Sequence, residues 1–104
     1  MFAILYAFHV KPGQEAPFED AWETLTRLFL EHAGSLGSRL HKPADQTYIA
    51  YAQWPDRQSW ERSAERLPKE AEAVREALQE ACRQIEILEE LEVARDLLRP
   101  REGL

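Results

Sequence analysis

Residues 2–10 have the sequence FAILYAFHV and are followed directly by Lys11, Pro12 and Gly13. Aromatic and branched side chains favour an extended backbone, and the proline and glycine mark the end of the extended segment. Successive side chains of a strand point to opposite faces, and here both faces are apolar as far as Phe8. The segment therefore predicts a β-strand over residues 2–10 that is covered on both sides.

An amphipathic helix is predicted after this strand. Its apolar stripe consists of Phe18, Trp22, Leu25, Phe29 and either His32 or Ala33. Charged residues lie between these positions. Pro17 is tolerated in the first turn, where its missing N–H has no partner within the helix. Gly34 is a stop signal because glycine adopts the left-handed cap conformation without strain. The spacing predicts a helix over residues 14–33.

A β-hairpin is predicted next. Residues 36–42 alternate between apolar and polar side chains, and residues 47–54 are rich in the aromatic and branched residues that favour strands. Residues 43–46 lie between the two segments and have the composition of a turn.

The second half of the chain predicts a broken helix and a final strand. Asp56 is the predicted N-cap of the helix, and Pro68 interrupts it. The apolar stripe after the break consists of Ala71, Val74, Leu78, Ala81 or Cys82, and Ile85. The position of Cys82 on this stripe predicts a buried, unreactive thiol. Residues 91–98 alternate between apolar and acidic side chains, which predicts a last strand, with a continued helix as the alternative.

The order of these elements predicts an α+β fold. Strand, helix, strand, strand, helix, strand (βαββαβ) is the ferredoxin-like split βαβ arrangement, an antiparallel sheet with helices on one face. The first and third strands are apolar on both faces, so the face without helices would expose a large apolar patch. A second copy of the same sheet would cover that patch, and we therefore predict a homodimer that packs sheet to sheet.

Length and composition restrict the function. The chain has 104 residues and a net charge of −6, so we predict one domain over residues 1–104 and no nucleic-acid partner. No apolar run approaches the roughly 20 residues of a membrane span, which predicts no membrane partner. A single cysteine excludes an internal disulfide and, without a leader-like start, favours a cytoplasmic protein. His9, His32 and His41 show no metal-ligand spacing, so neither a metal nor another cofactor is predicted.

Several of these segments resemble the antibiotic biosynthesis monooxygenase (ABM) family. The resemblance covers residues 1–67 and lies in Val10 to Gly13, Phe18 with Trp22, Gly34 to Leu40, and Tyr51 to Asp56. Most of these residues mark turns and packing positions, and none is a catalytic signature. The resemblance implies a dimeric α+β barrel with a pocket in each subunit, between the sheet and the helices.

The same resemblance implies a range of activities. Members that are enzymes oxidise small phenolic or quinol-type aromatics with oxygen and without metal or flavin, or they degrade haem, and many members have no known reaction. The haem-degrading members carry an asparagine on the first strand, where this chain has Tyr6. Ser63 and its neighbours stand where those members often carry a ring. Both departures disfavour haem degradation.

The candidate ligand-binding residues follow from strand parity together with the resemblance. They are Tyr6, Phe8, Trp22, Ser38, Trp60 and Ser63. Ser38 is small where a large residue would fill the space, which leaves room for a ligand or for Trp22. The alternative is that these aromatic residues form an ordinary core. His41, at a strand end beside Arg39, is the catalytic candidate, with a place in the dimer contact as its alternative.

Two functions remain in competition at this level. The first is an ABM-like homodimer that binds a small aromatic molecule and acts as a cofactor-independent monooxygenase of phenolic or quinol-type substrates. The second is a non-enzymatic ligand-binding or structural dimer of the same fold. A pocket plugged by Tyr6 and Trp22 would favour the second function, and an open pocket would favour the first.

Overall fold

The computed structural model describes residues 1–99, so residues 100–104 of the predicted domain lie outside the described part of the chain. The elements follow one another in the order β1 Phe2–Val10, α1 Glu15–His32, β2 Gly37–Ala44, β3 Thr47–Trp54, α2 Arg57–Glu61, a 3₁₀ turn Ser63–Arg66, α3 Ala71–Glu80 and β4 Cys82–Glu92. None of the helices in this range is long and apolar enough to cross a membrane.

The four strands form one antiparallel sheet in the order β2-β3-β1-β4. The central pair β1 and β3 runs in unbroken register from Phe2 opposite Trp54 to His9 opposite Thr47. The helices pack on one face of this sheet, where the even-numbered residues of β1 and β3 point. The predicted α+β, ferredoxin-like fold is therefore confirmed.

The core lies between the sheet and the helices. Phe18 of α1 is fully buried, with ring centroids 5.1 Å from Phe8 of β1 and 4.7 Å from Tyr48 of β3. Burial of one such side chain stabilises the fold by about 1.5 to 3 kcal/mol. At the other end of the sheet, Phe2 and Trp54 are the largest members of a second buried cluster. The helical spacing that placed Phe18 toward the sheet thus fixes how α1 docks.

The last strand differs from the prediction. β4 covers Cys82–Glu92, so the stripe assigned to a helix as far as Ile85 is already strand, and the predicted strand at residues 91–98 is wrong. Cys82 is buried, as predicted, but it opens β4 rather than lying on a helix. The prediction failed because two register shifts in the pairing with β1 leave Arg83 and Leu88 as extra residues, which breaks the two-residue alternation of β4.

The hairpin also differs in detail. β2 continues to Ala44, so the turn shortens to Asp45 and Gln46, and Gln46 takes a φ of 66°. The sheet pairing shifts between His41 and Ala44, which lets Pro43 lie at the edge of the sheet without breaking the ladder.

The sheet face opposite the helices is partly apolar and only partly covered. Leu5, Ile49 and Tyr51 are half-buried there and border a groove. Leu98, from the segment that follows β4, borders the same groove. We call this surface the open face.

Candidate functional site

A cavity of about 210 Å³ lies between the sheet and the helices. Its wall is mostly apolar and aromatic, and it includes all six residues that the sequence singled out, namely Tyr6, Phe8, Trp22, Ser38, Trp60 and Ser63. The structure thus brings the six candidates together around one space. Their role in binding a ligand remains a prediction.

The cavity exists because small residues adjoin one another on the helix side of the sheet. Ser38 of β2 lies opposite Ala52 of β3. Ala50 lies two residues before Ala52 on β3 and therefore points to the same face. Larger side chains at these positions would reach into the space under α1, as they do in a filled core. Tyr6 and Trp22 stand in the wall and leave the cavity open, so it is not plugged.

Helix α1 supplies one wall of the cavity. Trp22, Leu25 and Phe29 line it, and these residues belong to the predicted apolar stripe of the helix. The Phe29 ring meets the Trp54 ring edge to face, with centroids 5.7 Å apart and planes at 83°. The wall is therefore built from aromatic contacts, which suit a flat ligand ring.

Trp60 and Tyr6 form a hydrogen-bonded pair in the wall of the cavity. The indole Nε1–H of Trp60 donates a hydrogen bond to the Tyr6 hydroxyl oxygen over 2.8 Å. Helix α2 positions Trp60, and the N-cap Asp56 holds the start of that helix by accepting a hydrogen bond of 2.7 Å from the Ser59 backbone N–H. Phe2 supports the Trp60 ring at a centroid distance of 5.5 Å.

Burial raises the pKa of the Tyr6 phenol. The hydrogen bond from Trp60 opposes this rise, and the negative charge of Glu90 adds to it. Because an unperturbed tyrosine already titrates near pH 10, the Tyr6 hydroxyl keeps its proton at neutral pH.

The serines of the wall differ in their hydrogen bonding. Ser63 donates to the Trp60 carbonyl oxygen over 2.7 Å, and Ser35 accepts from the Gly37 backbone N–H over 3.0 Å. Ser38 has no side-chain hydrogen bond to any other described residue. Ser63 thus fixes the turn after Trp60, and Ser38 is the one of these three serines whose side chain has no hydrogen bond within the described chain.

Eleven of the described wall residues were not among the predicted binding residues, and two of these bring an indole N–H and a positive charge to the wall. The buried Trp54 indole N–H has no hydrogen-bond acceptor among the described residues, and its place could have been inferred from its parity with Tyr48 on β3. Arg75 of α3 is the one charged side chain among the described wall residues, and no described carboxylate lies within ion-pair distance of it. No sequence signal marked Arg75, because its position depends on how α3 packs on α1.

His41 lies away from the cavity. It borders the groove on the open face, opposite Ile49 in the sheet register. The sheet separates it from a ligand held between sheet and helices, so His41 and the six wall residues do not form one site. Over residues 1–99, no three side chains of the metal-ligating types come together.

The chain is similar to known proteins in sequence over its first part and in fold throughout. Residues 1–67 match the family described as "Antibiotic biosynthesis monooxygenase". No curated protein matches the sequence significantly.

Solved structures from several organisms share the fold. SnoaB from Streptomyces nogalater, described as a cofactor-independent oxygenase, is 19% identical with a TM-score of 0.76, covering 94% of this chain and 97% of SnoaB. NE2512 from Nitrosomonas europaea, described as a protein of unknown function, is 19% identical with a TM-score of 0.73, covering 96% and 95%. Rv0793 from Mycobacterium tuberculosis is 13% identical with a TM-score of 0.68, covering 90% and 98%. At these identities the likeness concerns the fold alone.

Proposed function

The chain belongs to the antibiotic biosynthesis monooxygenase family, and we propose that it binds a small aromatic molecule in its cavity and oxidises it with molecular oxygen, without a metal or organic cofactor. The observation that carries this proposal is the open cavity of about 210 Å³, walled by aromatic side chains and floored by small ones. An apolar protein cavity of about 150 Å³ is large enough to hold benzene. The space therefore suits one substituted ring or a small fused pair.

The proposed reaction needs little from the protein beyond binding and exclusion of water. The substrate loses a proton from an acidic ring position, and the resulting anion passes electrons to oxygen. For a ring that carries an activated CH₂ group, one oxygen atom becomes the new carbonyl and the other leaves as water. All four electrons come from the substrate, so the balance closes without another reductant. An apolar wall favours such a step because it strengthens each remaining electrostatic contact.

A second candidate function is binding of an aromatic ligand without chemistry. The observation that favours it is the absence of an imidazole or carboxylate side chain from the described wall of the cavity. A general base would have to lie within hydrogen-bond reach of the proton that it removes. If the protein is a monooxygenase, the described wall offers no such base, and the substrate's proton passes to water at the cavity mouth. If the protein only binds its ligand, that proton stays on the ligand.

We also propose that two copies pack through their open faces, and that this dimer resides in the cytoplasm. Leu5, Ile49 and Tyr51 leave apolar surface half-exposed on that face. A second copy related by a two-fold axis presents the same apolar surface and would cover it. The single cysteine supports a reducing compartment.

Oxygen uptake by metal-free protein tests the enzyme directly. Purified protein treated with a chelator is mixed with a panel of hydroquinones and anthrones in an oxygen-electrode cell, and binding is followed in parallel by quenching of tryptophan fluorescence. Uptake above the spontaneous rate, lost in the Ser38→Leu variant whose cavity is filled, supports the monooxygenase. Binding without uptake supports the second candidate. Neither binding nor uptake across the panel would refute both functions.

A further inference from the structure

The charged side chains of the open face lie toward its two edges, and apolar side chains lie between them. Residues that pair across the four strands form rungs, which run perpendicular to the strands. The first rung consists of Arg39 on β2, Tyr51 on β3, Leu5 on β1 and Glu89 on β4. The second rung, nearer the hairpin turn, consists in the same strand order of His41, Ile49, Ala7 and Glu86. Each rung therefore runs from a basic side chain at one edge, through an apolar centre, to a carboxylate at the other edge.

The two ends of a rung are too far apart to neutralise each other within one copy. Neighbouring strands lie about 4.8 Å apart, so the ends of a rung are separated by roughly 14 Å across the sheet. Exposed charges interact over only about 8 Å at physiological salt. Arg39 and Glu89 are exposed, and neither forms an ion pair among residues 1–99. Both charges are therefore available to another molecule that covers the open face.

The charge pattern distinguishes two ways in which a second copy can cover this face. When two sheets pack with their strands aligned within about 30°, a two-fold axis between them runs nearly parallel or nearly perpendicular to the strands. The parallel axis keeps the position of each rung along the strands and reverses the strand order, so β2 lies over the partner's β4 and opposite charges meet. The perpendicular axis keeps the strand order, so β2 lies over the partner's β2 and like charges meet. Juxtaposed like charges cost free energy, and the pattern therefore selects the parallel axis.

Resting on the proposed dimer, we propose that the partner of the open face is a second copy whose acidic edge strand β4 lies over the basic edge strand β2 of the first. Arg39 pairs with the partner's Glu89 on the first rung. His41 faces the partner's Glu86 on the second rung. Packed sheets lie about 10 Å apart, a gap that long side chains can span from both sides. The apolar centres of the rungs supply contact area, and the charges at the edges fix the orientation of the two copies.

Other charged groups near the open face do not reverse this pattern. His9 lies beside Glu86, with Nε2 and Oε2 3.4 Å apart, and Gln84 donates a hydrogen bond of 2.8 Å to the other carboxylate oxygen. Asp96 and Arg99, from the segment after β4, border the groove and carry opposite charges that cancel. The first rung, whose two ends have no ion-pair partner among the described residues, is therefore the sharper place for a test.

Reversing the charges at the ends of the first rung tests the arrangement. In the proposed dimer, Arg39→Glu places carboxylates against each other, and Glu89→Arg places guanidinium groups against each other. We expect each single variant to raise the dissociation constant of the dimer roughly tenfold at low salt, and the combined variant to return it to near the wild-type value. Sedimentation equilibrium over a range of concentrations measures the constant. In about 1 M salt the difference between the variants should shrink, because the charges are screened.

Two matched controls change the net charge by the same amount in the helix layer. Lys69→Glu, at an exposed position before α3, matches Arg39→Glu, and Glu76→Arg, at an exposed position on α3, matches Glu89→Arg. Both controls should leave the dissociation constant unchanged. Because the two ends of the rung are roughly 14 Å apart within one copy, recovery in the combined variant reports a contact between copies. Melting curves establish that each variant is folded.

The outcomes distinguish this inference from the proposed dimer. If wild-type protein is a monomer at every concentration, the dimer and this inference are both wrong. If Ile49→Arg disrupts the wild-type dimer but the single charge reversals leave its dissociation constant unchanged, the open-face dimer stands and the proposed orientation is wrong. A combined variant that stays as weak as the single variants also overturns the orientation. A dimer that survives Ile49→Arg and every reversal forms through another surface, which overturns both.

Discussion

Filling the cavity should make the protein more stable and weaken its binding of an aromatic ligand. Ser38 lies on the edge strand β2, half-buried, between Trp22 across the cavity and Ala52 beside it on β3. Its hydroxyl has no hydrogen bond to another described residue, so replacing it strands no partner. Ser38→Leu adds three carbon atoms to a side chain that already borders an empty apolar space.

The expected gain follows from the area that the new carbons bury. Each buried methylene stabilises a fold by about 0.8 kcal/mol, which sets an upper value of about 2.4 kcal/mol for three carbons. Ordering a leucine side chain costs about 0.5 to 1 kcal/mol of that. We expect a net increase of about 1 to 2 kcal/mol in the free energy of unfolding, and a rise of about 5 to 10 °C in melting temperature.

Urea denaturation and thermal melts measure the stability, and tryptophan quenching by 4-nitrotoluene measures the cavity. Ser38→Leu should weaken binding of the probe at least about tenfold, because the leucine occupies the space that the ring needs. Ser38→Ala is the control, since it removes the hydroxyl without filling the space and should bind the probe as wild type does. A destabilisation of about 1 to 3 kcal/mol in Ser38→Leu would indicate overpacking, and it would refute the reasoning that the space is empty.

Two further predictions concern the open face and the buried tyrosine on β3. Ile49→Arg places a charge on the open face, so native mass spectrometry should give the 12.1 kDa monomer, whereas wild-type protein should give twice that mass. Ala73→Arg, on the exposed side of α3, is the control and should remain a dimer. A dimeric Ile49→Arg variant would contradict the sheet-to-sheet packing. Tyr48 donates a 2.6 Å hydrogen bond to Glu19, and Tyr48→Phe should cost about 1 to 2 kcal/mol at neutral pH. Burial and Glu19 raise the pKa of Tyr48 to about 12 from the ordinary value of 10.0, so its contribution is complete below pH 10 and is lost as the pH rises through about 12. The difference in unfolding free energy between wild type and Tyr48→Phe should shrink over that interval in urea titrations, and a constant difference would exclude Tyr48 as the titrating group.

The cavity and the hydrogen bond between Trp60 and Tyr6 have different origins. The open space comes from residues that are too small to fill the core, which lowers stability. The hydrogen bond joins residues that lie 54 positions apart in the chain. A protein that keeps an unfilled cavity retains space for a ligand at some cost to the fold.

Local pattern determined the central part of this protein. The strands β1 and β3 have the predicted bounds because they are the two central strands of the sheet, which are rich in apolar and aromatic residues. The stripe of α1 predicted which helix face would pack, and strand parity placed Tyr6 and Phe8 on the helix side of β1. The facing of these side chains follows from the periods of helix and strand, and both periods can be read directly from the sequence.

Tertiary packing determined the rest. β4 is an edge strand with a bulge, so it has one neighbour and many exposed side chains, and its sequence shows no constant period. The hydrogen bond between Tyr6 and Trp60, the approach of Arg75 to the cavity, and the separation of His41 from it depend on how distant segments are brought together. The sequence alone could name six of the side chains around the cavity, through strand parity and the resemblance to the family. Only the folded chain decides which donors in the wall have partners, since hydrogen bonds between distant residues leave no local pattern.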